Sequence, residues 1–188
     1  MAGADRVAEA FEAMPREGFL PTNEQKSAAF DGPLPIGHGQ TNSQPSTVKA
    51  MLRLLDVQPG QKVLDVGCGS GWTTALLAHL TGPSGRVLGV ELEPELVEFG
   101  TENLDRAGVP WASIHEAKPG VLGLPSAAPF HRILVSAMAR RLPDELVDQL
   151  HTGGVMVVPV SGTMLRVASS MRGVGVTRHG AYRFVPLR

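Results

Sequence analysis

At 188 residues the chain suits one α/β domain with a normal core, burying roughly 70% of the surface exposed when unfolded. Its formal net charge is −1 and no run of like charges exceeds two residues, which argues against nucleic acid, a membrane surface or another polyanion as the main partner. No apolar stretch approaches the roughly 18 residues of a bilayer span, acidic residues stand where a signal peptide would have an apolar core, and the lone Cys68 excludes an internal disulfide framework or a multi-cysteine zinc site. These features predict a cytoplasmic protein with one site, in one domain, and no metal.

From Ala4 to Met14, apolar Val7, Ala8, Ala10, Phe11 and Met14 fall at helical spacing and Pro15 ends the run. Residues Gly18 to Pro45 are rich in Pro, Gly and Asn and form a loop too long for an ordinary connector, a length that points to function. A helix over Thr47 to Leu55 closes at the turn Gln58-Pro59-Gly60, and the pattern then changes period. Lys62 to Val66 reads as a buried strand, followed by a glycine-rich turn and a helix over Trp72 to Leu80. Arg86 to Glu91 is the next strand, and Pro94 opens a helix to Arg106. Two strand-turn-helix units in a row predict a parallel sheet. Weaker signals follow: a strand at Trp111 to His115, a firm one at Arg132 to Ser136, a helix from Pro143 to His151, and strands at Gly154 to Val160, Met164 to Ser169 and Tyr182 to Pro186.

The predicted fold is a Rossmann-like α/β domain, a doubly wound and mostly parallel sheet of about seven strands whose last two form a hairpin. Residues 1–57 supply N-terminal helices and the long loop, 58–160 the α/β core, and 161–188 the C-terminal hairpin.

The most informative stretch is Val63-Leu64-Asp65-Val66-Gly67-Cys68-Gly69-Ser70-Gly71-Trp72. Its glycines let the backbone turn sharply and approach a ligand, while the helix that follows offers free N–H groups. A dinucleotide fold would place a third glycine where Trp72 stands. The spacing G-x-G-x-G after Asp65 resembles instead motif I of S-adenosylmethionine methyltransferases. Glu91 ends the next strand, where a carboxylate can accept both ribose hydroxyls. Either acid alone could be a helix cap or half of a salt bridge; both together around three spaced glycines favour a cofactor site.

Three further segments resemble one family. Ala10-Phe11-Glu12-Ala13-Met14-Pro15-Arg16-Glu17-Gly18-Phe19-Leu20-Pro21 is similar to the opening A-F-x-x-V-P-R-E-x-F-V-P of the protein-L-isoaspartate O-methyltransferases. Pro33-Leu34-Pro35-Ile36-Gly37-His38-Gly39-Gln40-Thr41-Asn42-Ser43-Gln44-Pro45 resembles their P-L-P-I-G-x-G-Q-T-I-S-Q-P, and Phe184-Val185-Pro186-Leu187 their closing F-V-P-L. The resemblance implies methyl transfer from S-adenosylmethionine to the α-carboxylate of an L-isoaspartyl residue in a damaged protein or peptide, as a repair reaction. It implies Ser43 and Thr41 at the reacting carboxylate, with Gln40, Ser136 and Ala137 completing the acceptor site. It also implies cofactor contacts from Asp65, Gly67, Cys68, Gly69, Ser70, Gly71, Trp72, Glu91 and Leu92. A carboxylate is already a nucleophile and the sulfonium methyl already activated, so alignment and water exclusion supply most of the catalysis. The competing possibility for Ser43 is a loop hydroxyl bonded to its own backbone.

Several positions depart from the family pattern. Lys118-Pro119-Gly120 replaces G-D-G, whose acid would reach the adenine, so either cofactor affinity is reduced or the adenine is held by shape and by Glu116 from a shifted backbone. His131 replaces an acid before the fourth strand and reads as a solvated strand-start residue. Arg140 and Arg141 cap a loop or, as two guanidinium groups, hold a carboxylate. Trp72 stands for tyrosine, and Cys68 is expected to be a buried filler, with no positive charge nearby to activate a thiol. The alternatives are the same fold acting on another peptide or small-molecule carboxylate, and a non-catalytic cofactor-fold module. An RNA methyltransferase fits poorly, with neither a basic face nor an N-P-P-Y-type motif.

Overall fold

In a computed structural model, which describes residues 5–188, seven strands form one sheet in the order β5-β4-β3-β6-β7-β8-β9. These are β3 (Lys62–Val66), β4 (Arg86–Glu91), β5 (Ala112–Glu116), β6 (Phe130–Val135), β7 (Leu150–Val160), β8 (Thr163–Ser170) and β9 (Gly173–Ala181). Strands β3 to β7 pair in parallel; β8 and β9 are antiparallel to their neighbours. The chain order reverses between β3 and β6, so the loops leaving their C-terminal ends diverge and open a crevice there.

Helices α1 (Arg6–Ala13), α2 (Pro45–Leu55), α3 (Trp72–Thr81) and α4 (Pro94–Ala107) precede or link these strands. On one face, Ala10, Met51, Leu52, Leu76, Leu77 and Leu104 pack against Val63, Val87 and Leu134. Leu64, Leu88, Ile133, Met156 and Val158 point to the opposite face, as alternation along a strand requires. That face is covered by loop residues Leu122 and Leu124, and by Leu146 of the single-turn helix α5 (Asp144–Val147). Strands β3, β4 and β6 are buried on both faces, which is why these runs read as continuous apolar segments, whereas the edge strand β5 buries only Ile114.

Ala4 lies outside the described residues. The remaining expectations held for α1, α2, α3, β3, β4 and α4 to within two residues, and β5 is displaced by one. Three corrections are larger. The loop over 18–45 is built around a two-stranded hairpin, β1 (Leu34–Gly37) and β2 (Gln40–Asn42). Pro35, which argues against a strand interior, sits at an exposed position between buried Leu34 and Ile36. The helix expected from Pro143 to His151 stops at Val147, because Leu150 pairs with Phe130 and a sheet contact overrides the helical spacing of Leu146 and Leu150. The strand expected at Tyr182 to Pro186 is β9, nine residues earlier; both faces of β9 are exposed, so no apolar alternation marks it.

Asp65 sits beneath the glycine turn with no exposed surface, its Oδ2 accepting the hydroxyls of Thr73 and Thr74 at 2.7 and 2.8 Å. It thereby fixes the first turn of α3 to β3. Its Oδ1 is the one buried side-chain oxygen among the described residues without a partner. Burial pushes its pKa up to about 6, with the two hydroxyls opposing and the Glu91 charge adding to the rise. A second constraint is steric. A Cβ on Gly100 of α4 would lie 2.6 Å from Ile114 Cδ1 and 3.0 Å from the Gly69 carbonyl, so α4 touches the turn only because residue 100 has no side chain.

Two outcomes follow. Gly100→Ala is expected to destabilise the fold by about 1–3 kcal/mol, the range for overpacking, and to weaken ligand binding at the turn, read together by urea unfolding and calorimetry. For Asp65, the folded pKa exceeds the unfolded value of 3.8, so ionisation costs the folded state. Stability is therefore lost as pH rises from about 4 to about 6 and is level above. Relative to Asp65→Asn, the unaltered protein should lose roughly 3 kcal/mol across that window; parallel unfolding curves for the two would contradict this.

Candidate functional site

A cavity of about 670 Å³ opens at the C-terminal ends of the parallel strands, within the usual range for a small-molecule site. Its walls come from four loops: Val66–Ser70 after β3, Val90–Glu93 after β4, Ala117–Gly123 after β5, and Ser136 with Ala137 after β6. The hairpin side adds Ile36 and Gln40–Ser43, and the C-terminal end adds Val185–Arg188.

The glycine turn is shaped by left-handed backbone at Gly67, Gly69 and Gly71, with φ of 74°, 53° and 85°. A Cβ on Gly67 would stand 3.8 Å from the Cβ of Ala137, in the gap between the β3 and β6 loops, and one on Gly69 would meet Ile36 Cδ1 at 3.0 Å. Both positions are therefore kept bare on the cavity side and against the hairpin. Glu91 is buried at the end of β4, its carboxylate held by three backbone N–H groups: Gly69 at 2.9 Å, Leu92 at 2.7 Å and Glu93 at 3.2 Å. Three of roughly four acceptor positions are used, and the remaining capacity lies on Oε2, the oxygen with a single bond.

A second set of bonds joins the hairpin to the turn. Arg16 is buried, and its guanidinium donates from Nε to Asn42 Oδ1 at 2.7 Å and through Nη1 and Nη2 to the carbonyls of Phe30, Gly32, Asn42 and Ser43. Asn42 Nδ2 donates to Ser70 Oγ at 3.1 Å, and Asn103 of α4 donates to the Ser70 carbonyl at 2.8 Å. Ser43 thus gives the protein its carbonyl, and among the described residues its hydroxyl bonds no backbone group. Trp72 lines the cavity while its indole N–H bonds the Met14 carbonyl at 2.9 Å and its ring meets Phe11 edge-on.

The structure brings together in this one cavity Gln40, Thr41, Ser43, Gly67, Cys68, Gly69, Ser70, Trp72, Glu91, Leu92, Ser136 and Ala137. It does not bring Asp65 or Gly71 to the wall. Asp65 is a fully buried brace for α3, and a Cβ on Gly71 would lie 3.0 Å from the Gly100 carbonyl, so that glycine serves packing. Glu116 is exposed and lies off the cavity, leaving Pro119, Val121 and Leu122 as an apolar wall in place of an acid. Arg140 and Arg141 are exposed and off the cavity too, so neither can hold a carboxylate there. His131 accepts the Lys62 backbone N–H at 3.1 Å and stacks on His151; burial first, then the charge of His151 and Arg132, hold its pKa below the usual value. Cys68 packs where a Cβ on Gly89 would be 2.9 Å from its Sγ, and burial, followed by the charges of Asp65 and Glu91, pushes the thiol up and away from reactivity.

Three contributors escaped the sequence reading. Arg16 stood in a quoted motif without a role. Gln149 is buried and pins the loop after β5 by donating to the Leu122 and Glu145 carbonyls and accepting the Leu124 N–H. Arg188 lines the cavity mouth and pairs with Glu93.

A nucleoside carrying an amino-acid chain fits this donor set: a carboxylate at a strand end for vicinal hydroxyls, a bare glycine turn, and an apolar wall for a base. Comparison with known proteins agrees. The family profile described as protein-L-isoaspartate(D-aspartate) O-methyltransferase matches residues 1–188. The protein-L-isoaspartate O-methyltransferase of Aeropyrum pernix is 50% identical over 162 residues, which are 86% of this chain and 62% of that protein. That of Methanopyrus kandleri is 43% identical over 189 residues, 98% of this chain and 84% of that one. Among solved structures, a putative protein-L-isoaspartate O-methyltransferase from Plasmodium falciparum in complex with S-adenosyl-L-homocysteine superimposes with a TM-score of 0.87 at 26% identity, covering 99% of this chain and 91% of that one. By its sequence from end to end and by its fold, the chain belongs to the protein-L-isoaspartate(D-aspartate) O-methyltransferase family, whose members depend on S-adenosylmethionine.

Proposed function

We propose that the protein methylates the α-carboxylate of L-isoaspartyl residues in damaged proteins or peptides, with S-adenosylmethionine as the methyl donor. The observation that carries this reading is the shared cavity: Thr41 and Ser43 on one wall, the glycine turn and Glu91 on the other. When bound, S-adenosylmethionine supplies a methyl group already activated on a sulfonium, so the protein needs to align and desolvate.

Glu91 holds the donor's ribose through the free capacity of Oε2, and Gly67, Cys68, Gly69, Ser70, Trp72 and Leu92 surround the rest of that molecule. Ser43 and Thr41, together with Gln40, donate to the acceptor carboxylate and fix one of its oxygens for attack. Ser136 and Ala137 close the far side. No base is required, because the acceptor is ionised at neutral pH, and the Cys68 thiol in the wall remains protonated and inert. Holding reactants in line within about 3–3.5 Å supplies most of the rate. In place of an acid, the Pro119–Leu122 wall holds the adenine by shape, supported from behind by Gln149.

The test uses labelled S-adenosylmethionine and two peptides identical except for L-isoaspartate or normal aspartate. Base-labile methyl ester is expected on the isoaspartyl peptide alone. Ser43→Ala is expected to lower kcat/KM by about 10- to 100-fold, the value of one hydrogen bond to a charged group, with donor affinity within twofold. Cofactor binding without transfer to either peptide would move the search to another carboxylate, and no cofactor binding would favour a non-catalytic module.

A further inference from the structure

The near-zero net charge conceals a segregation. Residues 161–188 contain Arg166, Arg172, Arg178, Arg183 and Arg188 and no Asp or Glu, so net negative charge resides in the chain before them. Arg172, Arg178 and Arg183 are exposed, and among the described residues only Arg188 of this group makes a salt bridge, to Glu93.

Topology places part of this charge at the cavity. β9 is antiparallel to β8, which is antiparallel to β7, so β9 points the same way as the parallel strands and its Ala181 end lies on the cavity side. Thr163 pairs with Ala181 and Leu165 with Arg178, which puts Arg178 near that end. From there the chain leaves the sheet, and Val185 and Leu187 bond Met138 after β6, so that Val185–Arg188 become cavity wall. Arg188 therefore lines the cavity itself, while Arg178 and Arg183 lie off its wall, on the same end of the sheet and three strands beyond β6. Arg172 lies at the opposite end of a nine-residue strand, roughly 30 Å away. On its outer side β9 is an unpaired sheet edge, along which an extended polypeptide can lie.

We infer that this basic edge selects acceptors by the sequence around the damaged residue, favouring isoaspartyl sites flanked by Asp and Glu. This deepens the acceptor reading above and rests on it. Exposed charges of one sign raise the local concentration and encounter rate of an oppositely charged partner, and the effect falls as salt screens it. The unpaired Arg178 and Arg183 are the selecting residues, since Arg188 is already neutralised by Glu93.

Three isoaspartyl peptides with the same core and acidic, neutral or basic flanks decide the matter. At low ionic strength kcat/KM should be about tenfold higher for the acidic than for the basic peptide, and the difference should vanish near 1 M salt, where the screening length is about 3 Å. R178E/R183E should reverse the preference and R178Q/R183Q abolish it, with kcat for the neutral peptide unchanged in both. Equal rates for acidic and basic flanks, or a preference that survives R178E/R183E, would overturn the inference. Failure of the unaltered protein to methylate even the neutral peptide would overturn the acceptor reading itself, and this inference with it.

Discussion

A single buried chain of polar side chains holds the two halves of the site at a fixed separation. Arg16, next to the N-terminal helix, grips the hairpin strand that carries Thr41 and leads into Ser43; Asn42 of that strand grips Ser70 of the glycine turn; and Asn103 of α4 grips the same turn from behind. Among the described residues Arg16 has no carboxylate partner at hydrogen-bonding distance. Its charge is stabilised by carbonyl oxygens and one amide oxygen in a planar fork, an arrangement lysine cannot reproduce. Burial lowers its pKa, and the nearby Asp31 charge opposes that shift. Because each member is buried, breaking one link leaves an unpaired donor or acceptor in a poorly solvated place, at a cost of about 1–3 kcal/mol.

The cavity's electrostatics follow from where its acids stand. Glu91 is buried but lines the cavity and is fixed by three amides, so its remaining acceptor capacity faces a ligand without reorganising. Asp65, one strand over, is walled off and serves the backbone that shapes the turn. The two carboxylates thus differ in placement: one lines the cavity, the other braces the scaffold. Around them the glycines serve different ends as well, Gly67 and Gly69 leaving space at the wall and Gly71 and Gly100 allowing α4 to close against the turn. This division is what lets so little acid-base machinery suffice, since the remaining task is to place a carboxylate oxygen and exclude water.

Much of this was legible in the sequence, for identifiable reasons. β3 and β4 were read to the residue because strands buried on both faces are continuous apolar runs bounded by turn signals, and the alternating glycines marked the turn. The loop over residues 33–45 stands out through its resemblance to a family motif, while its hairpin geometry is hidden by Pro35. What stayed hidden depends on contacts distant in sequence. Nothing local distinguishes Asp65 as a brace from Asp65 as a ligand; the difference lies in Thr73 and Thr74 reaching it eight and nine residues later. Gln149 and Gly100 act through partners that only the fold supplies, and β9 carries no periodicity because neither of its faces is covered.

The most direct test of this account is Asn42→Ala, which cuts the link between the acceptor strand and the glycine turn while leaving every cavity-wall hydroxyl in place. Methyl transfer to an isoaspartyl peptide, donor affinity and amide exchange over residues 34–44 would be measured on the same sample. The account predicts faster exchange in the hairpin and a fall in kcat of about 100-fold, the scale of a misplacement near 1 Å, with donor affinity held within threefold. Undiminished turnover alongside a loosened hairpin would contradict it, showing that the separation fixed by Arg16, Asn42 and Ser70 does not govern the reaction.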